Sequence, residues 1–257
     1  MTDSQRIRLL SSSLIIGFFL TWEVLCIVLN VSDLILPRPS EILVTMWTRF
    51  PVLWPHILQT LYSTLFGFSL GVMIGVTLGV IVGTSKIAYA VAYPLLVGFS
   101  SIPKVAVVPI FVLWFGSGTT PAVLTAMVIC VFPIVVNIAT GLATTEPELE
   151  DVLKTLGASK SEILWNVGLP RAMPYFFASL KVAITLSFVG AVLSETVASN
   201  MGIGNVMMTA SSNFQVSLVF AGLIILALMG VALYAVFSFL ERRVTGWATR
   251  GNDIAVT

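Results

Sequence analysis

The sequence predicts an all-α membrane protein with about six transmembrane helices, and two observations support this prediction. The first is composition: of 257 residues, 57% are hydrophobic and 10% are charged, whereas soluble domains contain about 45–50% apolar and about 25% charged residues. The second is the recurrence of long apolar stretches along the chain. A soluble fold of this length has too little interior for so many apolar side chains, so the excess is expected to face lipid.

Six apolar stretches reach the roughly 20 residues that a helix needs to cross a bilayer. They do not alternate as barrel strands do, so helices are predicted. The first is longer than the apolar region of a signal peptide and no small-residue cleavage site closes it, so a retained span is expected. One domain over residues 1–257 is predicted, with spans at 9–30, 57–83, 87–115, 121–142, 175–197 and 216–240.

The basic residues predict how the chain is oriented. Cytoplasmic segments of membrane proteins carry an excess of Lys and Arg. With six spans and a cytoplasmic N-terminus, only Arg38 and Arg49 fall in outside segments. Both termini and the polar loop 144–174 are therefore predicted to be cytoplasmic, together with Arg6, Arg8, Lys86, Lys154, Lys160, Arg171, Arg242, Arg243 and Arg250.

The segment 39–54 is apolar at near-helical spacing but too short to span a bilayer. It is predicted to be a separate short helix along the outer interface, with Ser40 as a plausible cap.

The third apolar stretch, 87–115, departs from a plain span. As a straight helix it would be about 43 Å long, which exceeds the roughly 30 Å hydrocarbon core. It also contains Pro94, Pro103 and Pro109, and each proline removes a backbone donor and clashes with the preceding turn. A broken or strongly kinked helix is predicted. Such a break either lines a transport pathway or only shapes helix packing.

Ionisable residues in or near spans are costly and suggest function. Glu23, Lys104, Lys181 and Glu195 are of this kind, and for Lys181 a structural role is favoured. The candidate pathway-lining residues are Ser100, Pro103, Lys104, Trp114 and Glu195. Lys104 would suit an anionic substrate and Glu195 would oppose one, so the substrate stays open.

Five glycines of the second span recur every fourth residue, at Gly67, Gly71, Gly75, Gly79 and Gly83. These positions stay close to one face of a helix. Since glycine lowers helix propensity, the stripe predicts compensating close contact with another helix, in this chain or in a second one.

The loop 144–174 is predicted to contain two short helices joined at Gly157. Thr145 with Glu148, and Ser159 with Glu162, each fit a capping box. Apolar residues follow each box at helical spacing: Leu149, Val152, Leu153 and Leu156 in the first helix, and Ile163, Leu164 and Val167 in the second. Leu169-Pro170 is expected to end the second helix. The apolar ridge either docks a partner, packs on the chain's own helices or lies on lipid.

Several activities are disfavoured by the sequence. It contains no G-x-x-x-x-G-K-[ST] phosphate loop. A single histidine, His56, leaves no credible catalytic triad, histidine metal site or proton relay, and Cys26 and Cys130 have no metal-ligand spacing. The net charge of +1 argues against a nucleic-acid partner. No catalytic or metal-binding residue is therefore predicted.

The loop resembles the EAA loop of ATP-binding-cassette (ABC) importer permeases. The resemblance is carried by Asp151-Val152-Leu153, by Gly157, and by Val167-Gly168-Leu169-Pro170, whose spacing matches throughout. Val152 and Leu153 are bulkier than the usual alanines. The resemblance implies that a separate ATPase is contacted through Asp151, Leu153, Leu156, Gly157, Ala158, Leu169 and Pro170.

Other segments resemble the sulfonate, taurine, nitrate and pyrimidine-precursor permeases of that family. They are residues 102–109 and 113–116, Ser194-Glu195-Thr196, Gly202-Ile203-Gly204 and Leu240-Glu241-Arg242-Arg243. This likeness implies a type I importer permease of the bacterial inner membrane that works as a homodimer with two ATPase subunits and an external binding protein. It implies no cofactor on this chain, with ATP and Mg on the ATPase. An ion-gradient-driven secondary transporter and a structural scaffold are the alternatives.

Overall fold

The computed structural model describes residues 3–143, 152–153 and 155–249. Within those ranges the chain is helical and contains no strand. A short 3-10 segment, Lys104–Val107, precedes α4, and a π-helical segment, Leu164–Gly168, joins α6 to α7. The α-helices are α1 (Asp3–Val28), α2 (Pro39–Gly83), α3 (Lys86–Ser101), α4 (Val108–Phe115), α5 (Thr119–Ala143), α6 (Lys160–Ile163), α7 (Leu169–Ala198), α8 (Ile203–Ser212) and α9 (Val216–Thr249).

The predicted number of spans is confirmed. Five helical stretches of the described residues are long and apolar enough to cross a membrane, and a bent pair of helices raises the number to six if it counts as one span. The five are Leu9–Val28, Pro39–Gly83, Thr119–Ala143, Ser161–Ala198 and Val216–Thr245, and the bent pair is Ile87–Ser100 with Lys104–Phe115.

Helix α2 corrects one prediction. The segment 39–54 is not a separate helix, because α2 runs unbroken for 45 residues through Pro51 and Pro55. At 1.5 Å per residue it is about 67 Å long. Proline within a membrane helix is tolerated where neighbouring groups satisfy the freed carbonyls.

Ser40 also differs from its predicted role. Arg38 is the N-cap residue of α2, with Pro39 in the first turn, where its missing N–H costs nothing. Ser40 instead donates two hydrogen bonds to Glu23 of α1, from its backbone N–H (3.0 Å) and from its hydroxyl (2.7 Å). Glu23 therefore satisfies an N-terminal donor of α2 and ties α1 to it.

The glycine stripe packs α2 tightly against α5 of the same chain, as the spacing predicted. All five glycines are buried. A Cβ atom built on Gly75 would lie 2.8 Å from Cβ of Ile134, and one built on Gly79 would lie 2.8 Å from Cβ of Ile138. Helix α7 completes this core, where Phe68, Cys130, Ile134, Ile138, Leu180, Ile184 and Phe188 share one buried cluster.

The Leu169-Pro170 pair does not end a helix, contrary to the prediction. Helix α6 continues through the π-helical segment into α7, so that Ser161–Ala198 forms one 38-residue apolar helix. Pro170 lies in the first turn of α7, where proline is tolerated. Because the helix changes type before Pro170, this proline lies at the start of α7 and the 38-residue helix continues through it.

Candidate functional site

The turn at Gly157 has the geometry of a helix C-terminus. Gly157 has φ +87, a left-handed conformation that favours glycine. The N–H of Ala158 donates to the carbonyl of Leu153 (3.0 Å), and the N–H of Leu156 donates to that of Val152 (3.1 Å). The Ala158 bond closes the six-residue loop of a Schellman motif with Gly157 at the C′ position. The predicted helix end is confirmed.

A capping box opens the next helix, as predicted. The backbone N–H of Ser159 donates to Oε2 of Glu162 (2.8 Å), and the N–H of Glu162 donates to the Ser159 hydroxyl oxygen (3.3 Å). The two bonds are reciprocal, so both N-terminal donors are satisfied by side chains. The chain between Gly157 and Glu162 is therefore a defined corner that leads from the described helical residues before it into α6.

The apolar ridge divides into an exposed part and a buried part. Before the corner, Val152 is 56% exposed and Leu156 is 78% exposed. After it, Ile163 is buried, and Leu164 and Leu169 pack against the core of α5 and α7. The second helix thus packs on the chain's own helices, which was one of the alternatives. Leu156, in contrast, is exposed to its surroundings.

The remaining predicted loop residues are distributed around the corner. Leu153 and Ala158 are half-buried, whereas Gly157 and Pro170 are exposed. Trp165, which was not predicted, is 68% exposed on the second helix. Asp151 and the Thr145–Glu148 capping box lie outside the described residues.

The third apolar stretch is broken, as its prolines predicted. The axes of Ile87–Ser100 and Lys104–Phe115 differ by 78°. Pro103 is the N-cap residue of the 3-10 segment, and Pro109 lies in the first turn of α4. Pro94 is accommodated inside α3. The break therefore falls at Pro103, where a proline ends one helix and begins the next.

Lys104 is held at this break. Its ammonium group donates to the Ser100 carbonyl (3.1 Å) and lies 5.6 Å from the centre of the Phe132 ring of α5. This distance is within the range of a cation–π contact. The structure therefore brings Ser100, Pro103 and Lys104 together. Trp114 lies apart, near the end of α4, with 68% of its surface exposed.

Glu195, which the sequence placed among the pathway candidates, is buried in this structure. It is 1% exposed, in the interior between α2, α7 and α8. Its Oε2 atom accepts hydrogen bonds from the Thr60 hydroxyl (2.8 Å) and from the N–H of Gly204 (3.2 Å). Sequence reasoning missed Thr60. A sequence pattern could have indicated it, because His56, Thr60 and Thr64 are polar, recur every fourth residue and share one face of α2.

The described residues form an apolar helical bundle of membrane-spanning length, with one broken span and a capped polar corner. The sequence matches the family of binding-protein-dependent transport system inner membrane components over residues 71–246, and the chain belongs to that family. Two relatives illustrate the match. A probable ABC transporter permease protein of Haemophilus influenzae is 33% identical over 93% of this chain and 98% of its own length. The riboflavin transport system permease protein RibX of Chloroflexus aurantiacus is 36% identical over 83% of this chain and 80% of its own.

A solved structure shows the same fold. The permease chain in an inward-facing structure of the MetNI methionine ABC transporter superimposes with a TM-score of 0.60 at 21% identity, over 78% of this chain and 97% of that one. The fold is that of a type I ABC importer permease. The chain is a multi-pass permease subunit of an ABC importer in the inner membrane, and its family implies an ATPase and a substrate-binding protein as partners.

Proposed function

We propose that this permease is driven by a separate ABC ATPase that docks on the corner at Gly157. The observation that carries the proposal is Leu156, a leucine that is 78% exposed and lies directly before the left-handed turn at Gly157. An exposed leucine on a hydrogen-bonded turn is an anchor that a groove of a partner can bury. The docking surface is proposed to consist of Asp151, Leu153, Leu156, Gly157, Ala158 and Pro170, with Leu169, which packs against the core, supporting it from inside.

The proposed complex contains two copies of this chain, two ATPase subunits that bind ATP and Mg, and one external binding protein. Both termini and the Gly157 corner face the cytoplasm, in agreement with the distribution of Lys and Arg. This chain supplies the transport pathway and hydrolyses no nucleotide itself. When ATP closes the ATPase pair, the two docked corners move, and the permease switches between inward- and outward-facing states. Such coupling requires that the ATPase contact the two states differently.

The pathway is proposed to run beside the break at Pro103, where Lys104 offers a positive charge held between a carbonyl and an aromatic ring. The proposed substrate is a small heterocyclic compound. A relative that is 36% identical is named as a riboflavin permease, which supports this class over nitrate or sulfonates. Competition by unlabelled heterocycles, taurine and nitrate in one uptake assay would separate the three classes.

The substitution Leu156→Glu tests the docking proposal. Because Leu156 is exposed, the change leaves the packing of the chain intact, but it places a charge where the ATPase would bury an apolar group. We expect normal insertion, loss of ATPase co-purification and at least a tenfold fall in ATP-driven uptake. The matched control is Phe214→Glu, at an exposed residue between α8 and α9 (76%), which should keep both activities.

Two results would contradict the proposal. One is normal co-purification and uptake by the Leu156→Glu variant. The other is uptake by the purified wild-type chain in liposomes with an ion gradient and no ATP, which is the outcome that a secondary transporter predicts.

A further inference from the structure

Lys104 carries its charge near the middle of a membrane span. Its ammonium group lies 5.6 Å from the centre of the Phe132 ring. Phe132 is about 20 Å from the start of α5 at Thr119 and about 17 Å from its end at Ala143, at 1.5 Å per residue. A charged side chain at this depth is costly and ordinarily faces a partner or a water-filled cavity. The partners of Lys104 therefore decide what its charge does.

Two neutral groups hold the ammonium, and neither of them neutralises it. The Ser100 carbonyl accepts one of its N–H donors (3.1 Å), and the Phe132 ring faces it. An ammonium group has three N–H donors, so at least one donor remains for a ligand. Within the described part of the chain, no carboxylate lies within ion-pair distance of Lys104. Its positive charge is held in place but has no counter-charge.

Two carboxylates in or near the described spans have other partners. Glu23 accepts two hydrogen bonds from Ser40, and Glu241 forms an ion pair with Lys181. The charge of Lys181 is therefore neutralised within the fold, whereas the charge of Lys104 is not.

Glu195, the third carboxylate, holds the start of α8. The N-cap residue of α8 is Gly202, which supplies no capping side chain, and the first N–H groups of a helix need acceptors from outside it. The N–H groups of residues 202–204 donate, in order, to Nδ1 of His56 (3.1 Å), the Thr60 hydroxyl oxygen (2.9 Å) and Oε2 of Glu195 (3.2 Å). Glu195 is 1% exposed, so it serves the fold and offers no surface to a solute in this structure.

Glu195 is also distant from Lys104. Helices α5 and α7 are antiparallel, with Gly190 of α7 packed against Ala126 of α5. Phe132, which contacts Lys104, and Glu195 lie on opposite sides of this contact, about 16 Å apart along the helices at 1.5 Å per residue. The negative charge of Glu195 therefore neither pairs with Lys104 nor opposes an anion bound there.

Lys104 does not have the position of a lysine that faces lipid. Such a lysine extends its stem until the charged group reaches the interface. Lys104 instead turns back by one helical turn onto the Ser100 carbonyl. It is half-buried, and its neighbours Ile102 and Val105 are 50% and 51% exposed. The ammonium is thus fixed at the break and partly accessible from outside the chain.

We infer that Lys104 binds an acidic group of the transported solute. For the heterocyclic class proposed above, the substrate is then a small heterocycle that carries a carboxylate or another acidic group. The remaining N–H donor gives the anion a charge-assisted hydrogen bond, and Phe132 is a positioning residue that holds the ammonium. This inference rests on the proposed pathway beside Pro103 and is independent of ATPase docking.

The test measures equilibrium binding of radiolabelled solutes to the full-length chain in lipid nanodiscs, with no ATPase present. Two pairs share a ring and differ in one acidic group: orotate with uracil, and nicotinate with nicotinamide. We expect the acid of at least one pair to bind at least about tenfold more tightly than its neutral partner, because the neutral compound loses a charge-assisted hydrogen bond. Equal affinities within both pairs, or no binding of either acid, would overturn the inference. Since the assay contains no ATPase, this result is separate from that of Leu156→Glu.

Variants of the two residues decide the cause. Lys104→Met should abolish the preference for the acid, whereas Lys104→Arg should keep it. Phe132→Leu should weaken the preference and Phe132→Tyr should retain it, because only the tyrosine keeps an aromatic face for the ammonium. The matched control is Lys181→Met combined with Glu241→Met, which removes the paired lysine with its carboxylate and should leave the preference unchanged. A preference that survives Lys104→Met would contradict the inference, and an unchanged preference in Phe132→Leu would exclude Phe132 as a positioning residue.

Discussion

Lys181 of α7 forms an ion pair with Glu241 of α9, with 2.5 Å between Nζ and Oε2. The two side chains are only 22% and 20% exposed, so water screens the pair poorly. This contact joins the last two long helices of the bundle. It supports the structural role that was favoured for Lys181, since a paired lysine is not available to a substrate.

Glu241→Gln is expected to destabilise the protein by roughly 1–3 kcal/mol, because it leaves the Lys181 charge partly buried and unpaired. The measurement is thermal unfolding in detergent. Arg242→Gln, at the exposed neighbour, is the control and should leave the midpoint nearly unchanged. The exchanged pair Lys181→Glu with Glu241→Lys should recover most of the loss. Equal midpoints for Glu241→Gln and Arg242→Gln would argue that the ion pair contributes nothing.

The glycine stripe predicts a steric penalty that depends on position. Gly75→Ala places a methyl group 2.8 Å from Cβ of Ile134, so α2 and α5 must separate. We expect a loss of roughly 1–3 kcal/mol, typical of overpacking. Gly17→Ala is the control, since a Cβ atom there meets nothing within 4 Å and alanine favours helix. The same unfolding assay compares them, and a Gly75→Ala protein as stable as Gly17→Ala would show that the helices are not in close contact.

Gly157 predicts a conformational penalty without a steric one. Nothing lies within 4 Å of a Cβ atom built at this position, but φ is +87. Asparagine tolerates this conformation better than other residues, so Gly157→Asn should retain most ATP-driven uptake. Gly157→Pro cannot adopt a positive φ, and we expect it to abolish uptake while the chain still inserts into the membrane. The assay is uptake normalised to membrane-inserted protein. Equal uptake by the proline and asparagine variants would be incompatible with a role for the turn.

Local patterns in the sequence predicted several elements correctly, because each depends on residues close together in the chain. The Ser159–Glu162 capping box, the helix end at Gly157 and the break near Pro103 each follow from backbone chemistry within a few residues. The same holds for the number of spans, which follows from length and hydrophobicity. Motif spacing around Gly157 was also sufficient to indicate the family.

Local patterns failed at three places. Apolar spacing predicted a separate helix at 39–54, but α2 continues through Pro51 and Pro55. Ser40 has the chemistry of a cap, yet it donates to Glu23 of another helix. Leu169-Pro170 was expected to end a helix, and a π-helical segment carries the chain through it. In these three places the residue types did not determine where the helix begins or ends.

The sequence alone determined that this protein is an all-α permease of about six spans, with a capped corner at Gly157, because hydrophobicity, helix period and capping are properties of short segments. Only the tertiary structure decided that the glycine stripe meets α5, that Glu195 is buried, and that His56, Thr60 and Glu195 share the start of α8. His56 and Gly202 are 146 positions apart, and helix packing in three dimensions, which no local pattern encodes, brings them together.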